Sequence, residues 1–235
     1  MKKIINILLI VILILGTTAC KKSEKELTDA EKFKKEYESL NNQVREKDNK
    51  KIREVTIPSD NPIVYKSAEG IVKMIDNKES FLVYFGFSDC PWCRSVIEEL
   101  IKVSKDNSVA KIYYVDVKDI RDTKEIDTEG NIKTTQKGSK GYNELLKRMS
   151  NVLVDYKIND KNGNEIDTNE KRIFAPNVVA ISKGKAIELA TGESTKLKNP
   201  YDELTDEMRK ETYNKFKCLI ECLDKESTTC QKNSC

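Results

Sequence analysis

The stretch Phe81-Leu82-Val83-Tyr84-Phe85, followed by Cys90-Pro91-Trp92-Cys93, decides how this chain folds. The first segment is apolar and rich in β-prone residues, which predicts a buried strand. After the second, apolar residues recur at helical spacing at Val96, Ile97, Leu100 and Ile101. Cys90 is therefore expected at a helix N-terminus, where free N–H groups and the helix dipole stabilise a thiolate. Cys93 follows within the first turn, so the pattern predicts a cysteine pair capable of thiol–disulfide exchange.

The composition excludes several kinds of chemistry. The chain has 235 residues, which allows one domain with additions or two small domains. It contains no histidine, so His-activated nucleophiles, His-ligated zinc and imidazole bases are excluded. The net charge is +3, and Lys2 and Lys3 lie in a segment that we expect to be removed. The mature chain is then close to neutral, so we predict no nucleic-acid partner.

The N-terminal residues have the pattern of an export signal. Lys2-Lys3 precede the apolar run 4–15, and small residues lead to Cys20. This arrangement is typical of a secretory signal and resembles the lipobox of bacterial lipoproteins. Residues 1–19 are thus predicted to be a lipoprotein-type signal peptide, with Cys20 lipidated and holding the chain to the membrane. The alternative is an uncleaved anchor, and both interpretations place the chain outside the cytoplasmic membrane, where disulfides are permitted.

Residues 20–51 are predicted to form a helical stalk or linker. Thr28-Asp29-Ala30-Glu31 has the pattern of a capping box at a helix start. Apolar residues follow the helical period at Leu27, Ala30, Phe33, Tyr37, Leu40 and Val44. This stripe is too thin for a core of its own. The helix would either pack on the main domain or hold that domain away from the membrane, and we favour the stalk.

The globular domain is predicted over residues 52–224. A strand at 63–65, a helix capped by Ser67, the strand at 81–87, the helix after Cys90 and a strand at 111–117 follow in order. This β-α-β-α-β order predicts parallel strands.

A long insertion is predicted at about 118–175. Its apolar stripe indicates one helix, and Asn162-Gly163-Asn164 indicates one hairpin. A second hairpin is expected over residues 178–189. A final helix is expected over 202–224.

This order of elements resembles the thioredoxin superfamily over about residues 60–223, and the exported setting resembles thioredoxin-like proteins of Gram-positive bacteria. The resemblance implies an α/β fold with a central mixed sheet flanked by helices. By the same resemblance, Cys90, which is expected to be exposed at the helix start, attacks a substrate cysteine, and the more buried Cys93 resolves the mixed disulfide. It further implies that Pro176 follows a cis peptide bond opposite Cys90, and that the backbone of Ala175 pairs with the substrate chain.

Three neighbours of the cysteines bear on their chemistry. Pro91 suits the first helical turn because it has no N–H to leave unsatisfied. Trp92, the only tryptophan, is expected either to pack normally or to form an apolar rim for substrate. Asp89 precedes Cys90, and its carboxylate would raise the pKa of the thiol if it pointed at the sulfur.

Four cysteines close the chain, two on the last helix and two in the tail 225–235: Cys218, Cys222, Cys230 and Cys235. We predict structural disulfides between helix and tail, and a tail that doubles back would pair Cys222 with Cys230 and Cys218 with Cys235. Zinc binding and a second redox relay are the alternatives.

The sequence thus predicts a membrane-tethered extracytoplasmic thiol–disulfide oxidoreductase that needs no cofactor or metal. Its partners would be cysteine-containing protein substrates, the membrane and a membrane redox partner. The direction of electron transfer stays open. One alternative is a non-catalytic binding module of an envelope or secretion complex, and another is a metallochaperone.

Overall fold

The computed structural model describes residues 26–224 of the chain. Its helices are α1 (Asp29–Glu38), α2 (Ala68–Asp76), α3 (Pro91–Asp106), α4 (Lys140–Arg148) and α5 (Asp206–Asp224). Its strands are β1 (Val44–Arg45), β2 (Lys50–Lys51), β3 (Ile63–Tyr65), β4 (Phe81–Gly86), β5 (Ile112–Asp116), β6 (Thr123–Ile126), β7 (Ile132–Gln136), β8 (Val154–Asn159), β9 (Glu165–Arg172), β10 (Asn177–Ser182) and β11 (Lys185–Ala190). Within this range no helix is long and apolar enough to cross a membrane. The predicted signal peptide, Cys20, Cys230 and Cys235 lie outside the described residues.

A mixed five-stranded sheet forms the centre of the fold, in the order β11-β10-β4-β5-β3. Strands β3, β4 and β5 are parallel, which confirms the parallel pairing expected from the β-α-β-α-β order. Strand β10 runs antiparallel to β4, and β11 runs antiparallel to β10. Every residue of β4 and of β10 is buried, as expected for central strands that are covered on both faces.

The pairing register brings two distant segments to the same edge of the sheet. Strand β10 pairs antiparallel with β4, and Asn177 lies opposite Phe85. Residues just before β10 therefore lie beside residues just after β4. This places Ala175 and Pro176 next to the segment that carries the cysteine pair.

Helices cover both faces of the sheet. Successive side chains of a strand point to opposite faces. On β4, Leu82 and Tyr84 pack into a core shared with α1, α3 and α5. Val83 and Phe85 pack into a second core shared with α2 and α4. The fold is thus α/β with a mixed sheet between helical layers, and at that level the predicted fold class is confirmed.

Helix α1 belongs to the globular core, so the stalk interpretation of this segment is wrong. The capping box at Thr28 and Glu31 is present as predicted. Phe33 and Tyr37 are both 0% exposed, and the Phe33 ring packs edge-on against Tyr114 of β5 with centroids 5.0 Å apart. Two large aromatic residues four positions apart share one helix face, and here that face closes an apolar side of the sheet.

A buried arginine fixes the N-terminal segment to the helix that follows the cysteine motif. Arg94 of α3 is 1% exposed. Its guanidinium donates to the Tyr37 carbonyl at 2.9 Å, to the Asn41 Oδ1 atom at 2.7 Å and to the Arg53 carbonyl. These acceptors satisfy a buried cation for which the desolvation cost would otherwise be large. The first turn of α3 and residues 37–53 are therefore held as one unit.

The insertion contains one helix, α4, as predicted, but two hairpins rather than one. The hairpin β8–β9 turns at Asn162-Gly163-Asn164, as expected, and Gly163 has φ +84°. The additional hairpin β6–β7 has a strand, β7, in which every residue is exposed. Such a strand shows no alternation of apolar and polar residues, so the sequence pattern did not indicate it. The last helix begins at Asp206, a few residues later than expected.

Candidate functional site

The cysteine motif lies where the central strand leads into helix α3. Strand β4 ends at Gly86, and Cys90 is the N-cap of α3. The Cys90 sulfur accepts the backbone N–H of Cys93 at 3.3 Å, so it occupies the place of a capping oxygen. Pro91 is the first residue of the helix, where its missing N–H costs nothing. The position predicted for the motif is confirmed.

Cys90 is more buried than the sequence suggested. The residue is 4% exposed, whereas a thiol at a helix start was expected to be exposed. Its sulfur donates a hydrogen bond to the Ala175 carbonyl at 3.3 Å. The loop that leads into β10 therefore lies against the sulfur, and this contact follows from the β4–β10 register.

The pKa values of the two thiols are shifted in opposite directions. The pKa of Cys90 is lowered, first by a hydrogen bond from the Cys93 thiol and then by backbone N–H groups and the charge of Arg121, although burial opposes the shift. The pKa of Cys93 is raised well above the ordinary value, chiefly because the residue is 0% exposed and its charged form is desolvated. Both cysteines are free thiols. The pair thus combines one sulfur that ionises readily with one that stays protonated.

Asp89 does not act on Cys90 as its position in the sequence suggested. Its carboxylate accepts a hydrogen bond from the Lys118 ammonium at 2.8 Å. Lys118 lies two residues after the end of β5, so the parallel pairing of β4 and β5 explains the contact. The carboxylate is held by a cation, and it is not among the main causes of the shift in the pKa of Cys90.

Arg121 is a site residue that sequence reasoning missed. It lies in the loop between β5 and β6, half-buried, with its guanidinium carbon 4.9 Å from the centroid of the Phe87 ring. Phe87 directly follows β4, so this stacking brings the cation to the motif, where it lowers the pKa of Cys90. No sequence signal links position 121 to position 90, because only the folded sheet makes the loops neighbours.

Replacing Arg121 by glutamine is expected to raise the pKa of Cys90. Loss of a nearby cation removes stabilisation from the thiolate, and the shift should be up to about one pH unit. The measurement is the pH dependence of Cys90 alkylation, followed at the Cys90 peptide by mass spectrometry. Arg148→Gln is the matched control, since Arg148 is paired with Asp76 and Glu144. An unchanged midpoint in Arg121→Gln would show that the cation does not act on the sulfur.

The loop opposite the motif has the predicted backbone form. The Ala175–Pro176 peptide bond is cis. The side-chain amide of Asn177 bonds the loop at two points. The amide nitrogen donates to the Pro176 carbonyl at 2.8 Å, and the amide oxygen accepts from the Phe174 N–H at 3.2 Å. Asn177 is 1% exposed, so this side chain fixes the loop from the inside. Trp92 is half-buried and packs on the same core as the two cysteines.

The cysteines of the last helix are engaged in disulfide bonds. Cys218 and Cys222 are both disulfide-bonded, and Cys222 is 5% exposed. Their pairing with Cys230 and Cys235 stays a prediction, because the tail lies outside the described residues. Between residues 26 and 224 no group of three or more side chains is arranged to hold a metal ion.

In comparisons with known proteins, no family model matches the chain and no curated protein is significantly similar to it.

Proposed function

We propose that this protein is a thiol–disulfide oxidoreductase with a thioredoxin-like fold. Cys90 and Cys93 would exchange disulfides with cysteine-containing protein substrates. The contrast between the two free thiols carries the proposal: the pKa of Cys90 is lowered, while Cys93 is buried and its pKa is raised. A thiolate is the attacking species in disulfide exchange, and a second thiol nearby can release the intermediate.

The reaction proceeds in two balanced steps. The Cys90 thiolate attacks a substrate disulfide, forms a mixed disulfide with one substrate sulfur and releases the other as a thiolate. Cys93 then loses its proton and attacks the Cys90 sulfur, which forms the Cys90–Cys93 bond and releases the second substrate thiol. The substrate gains two electrons and the protein loses two, while the departing substrate sulfurs take up protons. The reverse sequence oxidises a substrate dithiol.

The arrangement of the sheet supports the thioredoxin-like assignment. Parallel β3, β4 and β5, followed by the antiparallel strands β10 and β11, match the element order that the resemblance implies. The loop at Ala175 and Pro176 lies against Cys90. The Ala175 carbonyl, which now accepts from the thiol, would be released to pair with a substrate backbone when Cys90 is in a mixed disulfide.

We further propose that the enzyme works outside the cytoplasmic membrane, to which the lipidated Cys20 tethers it. The pattern of residues 1–20 supports export, and the disulfide-bonded Cys218 and Cys222 suit an oxidising compartment. An enzyme in this place needs an electron donor or acceptor, and a membrane redox partner would meet that need.

Acid-quenched thiol trapping in intact cells, read by mass spectrometry, tests the function. Mild dithiol should reduce the Cys90–Cys93 pair before the disulfides of Cys218 and Cys222, and a membrane-impermeant disulfide should oxidise it again. A pair that keeps one redox state under both treatments would contradict the proposed exchange.

The second candidate function is a non-catalytic binding module of an envelope or secretion complex. The burial of Cys90, at 4% exposed, favours this alternative, because an attacking sulfur must be reached by its substrate. In such a module the face around Pro176 would bind the partner, and the cysteines would only support the fold.

A further inference from the structure

A line of hydrogen-bonding groups runs from α1 through the sheet to the second cysteine. The hydroxyls of Tyr37 and Tyr84 lie 2.9 Å apart. The Tyr84 side chain shares a buried cluster with Cys93, and its hydroxyl lowers the pKa of that thiol. All three residues are 0% exposed, so the groups interact in a low-dielectric interior where such bonds act strongly.

The backbone of β4 makes room for this arrangement. A Cβ atom at Gly86 would lie 2.3 Å from the Tyr84 hydroxyl oxygen, which is closer than any real contact. The phenol of Tyr84 therefore lies along its strand over residue 86, toward the end of β4 from which the cysteine motif continues. Glycine at position 86 is what allows the hydroxyl to reach that end.

The number of protons restricts the order of donors in this line. A phenol has one O–H, so Tyr84 can donate to only one neighbour. If Tyr84 donates to the Cys93 sulfur, its oxygen accepts from Tyr37. Burial raises the pKa of both phenols well above the ordinary value, so both keep their protons as donors.

We propose that Tyr84 is a catalytic residue of the resolving step, in which its hydroxyl donates to and stabilises the Cys93 thiolate, and that Tyr37 is a positioning residue that orients and polarises Tyr84. The inference rests on the proposed function and deepens it. Helix α1 thereby becomes part of the catalytic machinery rather than a spacer. In the step itself, the Cys93 thiolate attacks the Cys90 sulfur of the mixed disulfide. The proton lost by Cys93 is matched by the proton that the departing substrate thiolate takes up.

Tyr84 matters because the largest influences on Cys93, burial and Cys90, oppose its ionisation. Desolvation raises the pKa of Cys93, and a charge on Cys90 raises it further. Tyr84 and a backbone N–H lower it, and the Arg121 guanidinium also interacts with the sulfur. Once Cys90 is bound in a mixed disulfide its charge is gone, and the Tyr84 hydroxyl and a backbone N–H then favour the Cys93 thiolate.

Reaction with 5,5′-dithiobis(2-nitrobenzoate) separates the two steps in the full-length reduced protein. Attack by Cys90 releases one coloured thiolate, and resolution by Cys93 releases a second. A hydrogen bond to a charged group changes an equilibrium by roughly ten- to a hundredfold. The greater nucleophilicity of a more basic thiolate offsets about half of this effect on a logarithmic scale. Tyr84→Phe should therefore slow the second phase roughly three- to tenfold at every pH below the pKa of Cys93, and leave the first phase unchanged.

Two further variants separate a chemical role from a structural one. Tyr37→Phe should slow the second phase by a few-fold, and the Tyr37→Phe/Tyr84→Phe double variant should be no slower than Tyr84→Phe alone. Tyr114→Phe is the matched control, because this ring stacks on Tyr84 at 5.4 Å while its hydroxyl donates to Glu36 at 3.3 Å. It should leave both phases as in the wild type.

Each outcome decides between the two proposals. Two phases in the wild type, with the second phase unchanged in Tyr84→Phe and Tyr37→Phe, would overturn the role of the tyrosines and leave the exchange function intact. Equal slowing in Tyr114→Phe would also overturn it, since loss of any buried hydroxyl would then suffice. Absence of both phases in the wild type would count against the exchange function itself.

Discussion

Replacing Cys90 by serine is expected to abolish disulfide exchange, with a fall of roughly a thousandfold or more, as is typical when a nucleophile is deleted. Cys90 has the lowered pKa and caps α3, whereas Cys93 is 0% exposed and stays protonated. A serine hydroxyl is far less acidic than a thiol and does not attack disulfides under these conditions. The measurement is reduction of a disulfide-containing protein substrate, with dithiol as the final electron donor.

Cys93→Ser is the informative counterpart of Cys90→Ser. It keeps the attacking thiolate and removes the group that resolves the intermediate, so a mixed disulfide between Cys90 and substrate should accumulate. The adduct is measured on non-reducing gels and by mass spectrometry. Should Cys90→Ser retain activity, or Cys93→Ser form no adduct, the non-catalytic binding module would become the better interpretation.

The order of elements around the motif could be predicted because it depends on local patterns. The apolar run 81–85, the helical spacing after Cys93 and the turn residues of the hairpins each specify their own backbone. The placement of Cys90 as N-cap agrees with these patterns, whereas the cis bond before Pro176 was expected only from the family resemblance.

The features that the sequence could not indicate arise from contacts between residues that are far apart in the chain. Tyr37 and Tyr84 are 47 positions apart, and their hydroxyls meet only because α1 packs on the sheet. Arg121 reaches the motif through Phe87, and the burial of Cys90 follows from the β4–β10 register. Each of these contacts requires the tertiary fold, which no local pattern encodes.

The error over α1 has a specific physical cause. A helical stripe with an aromatic residue on each turn is compatible with a stalk, with a partner helix or with a core. The sequence shows the stripe but not the sheet face that it covers. In the structure, polar groups also hold the segment, since the Asn41 amide donates to the Val55 carbonyl at 2.8 Å and accepts from Arg94 at 2.7 Å.

Replacing Phe33 by alanine is expected to lower the free energy of unfolding of the whole domain by about 3–5 kcal/mol. Phe33 is 0% exposed, and its ring packs against Tyr37 at 4.4 Å and Tyr114 at 5.0 Å between centroids. Truncation removes the transfer free energy of the ring and leaves a cavity beside the sheet. For a domain of this size, the midpoint of thermal unfolding should fall by on the order of 10 °C.

Urea unfolding at a fixed redox state, followed by circular dichroism and by the fluorescence of Trp92, measures the change. Lys35→Ala is the matched control, because Lys35 lies on the exposed side of the same helix and alanine favours helix formation. Lys35→Ala should leave the unfolding midpoint within about 0.5 kcal/mol of the wild type. A stalk would unfold separately from the domain, so an unchanged Trp92 transition in Phe33→Ala would show that α1 does not stabilise the core. A large shift that both probes report together would place α1, and with it Tyr37, in the same cooperative unit as the cysteine motif.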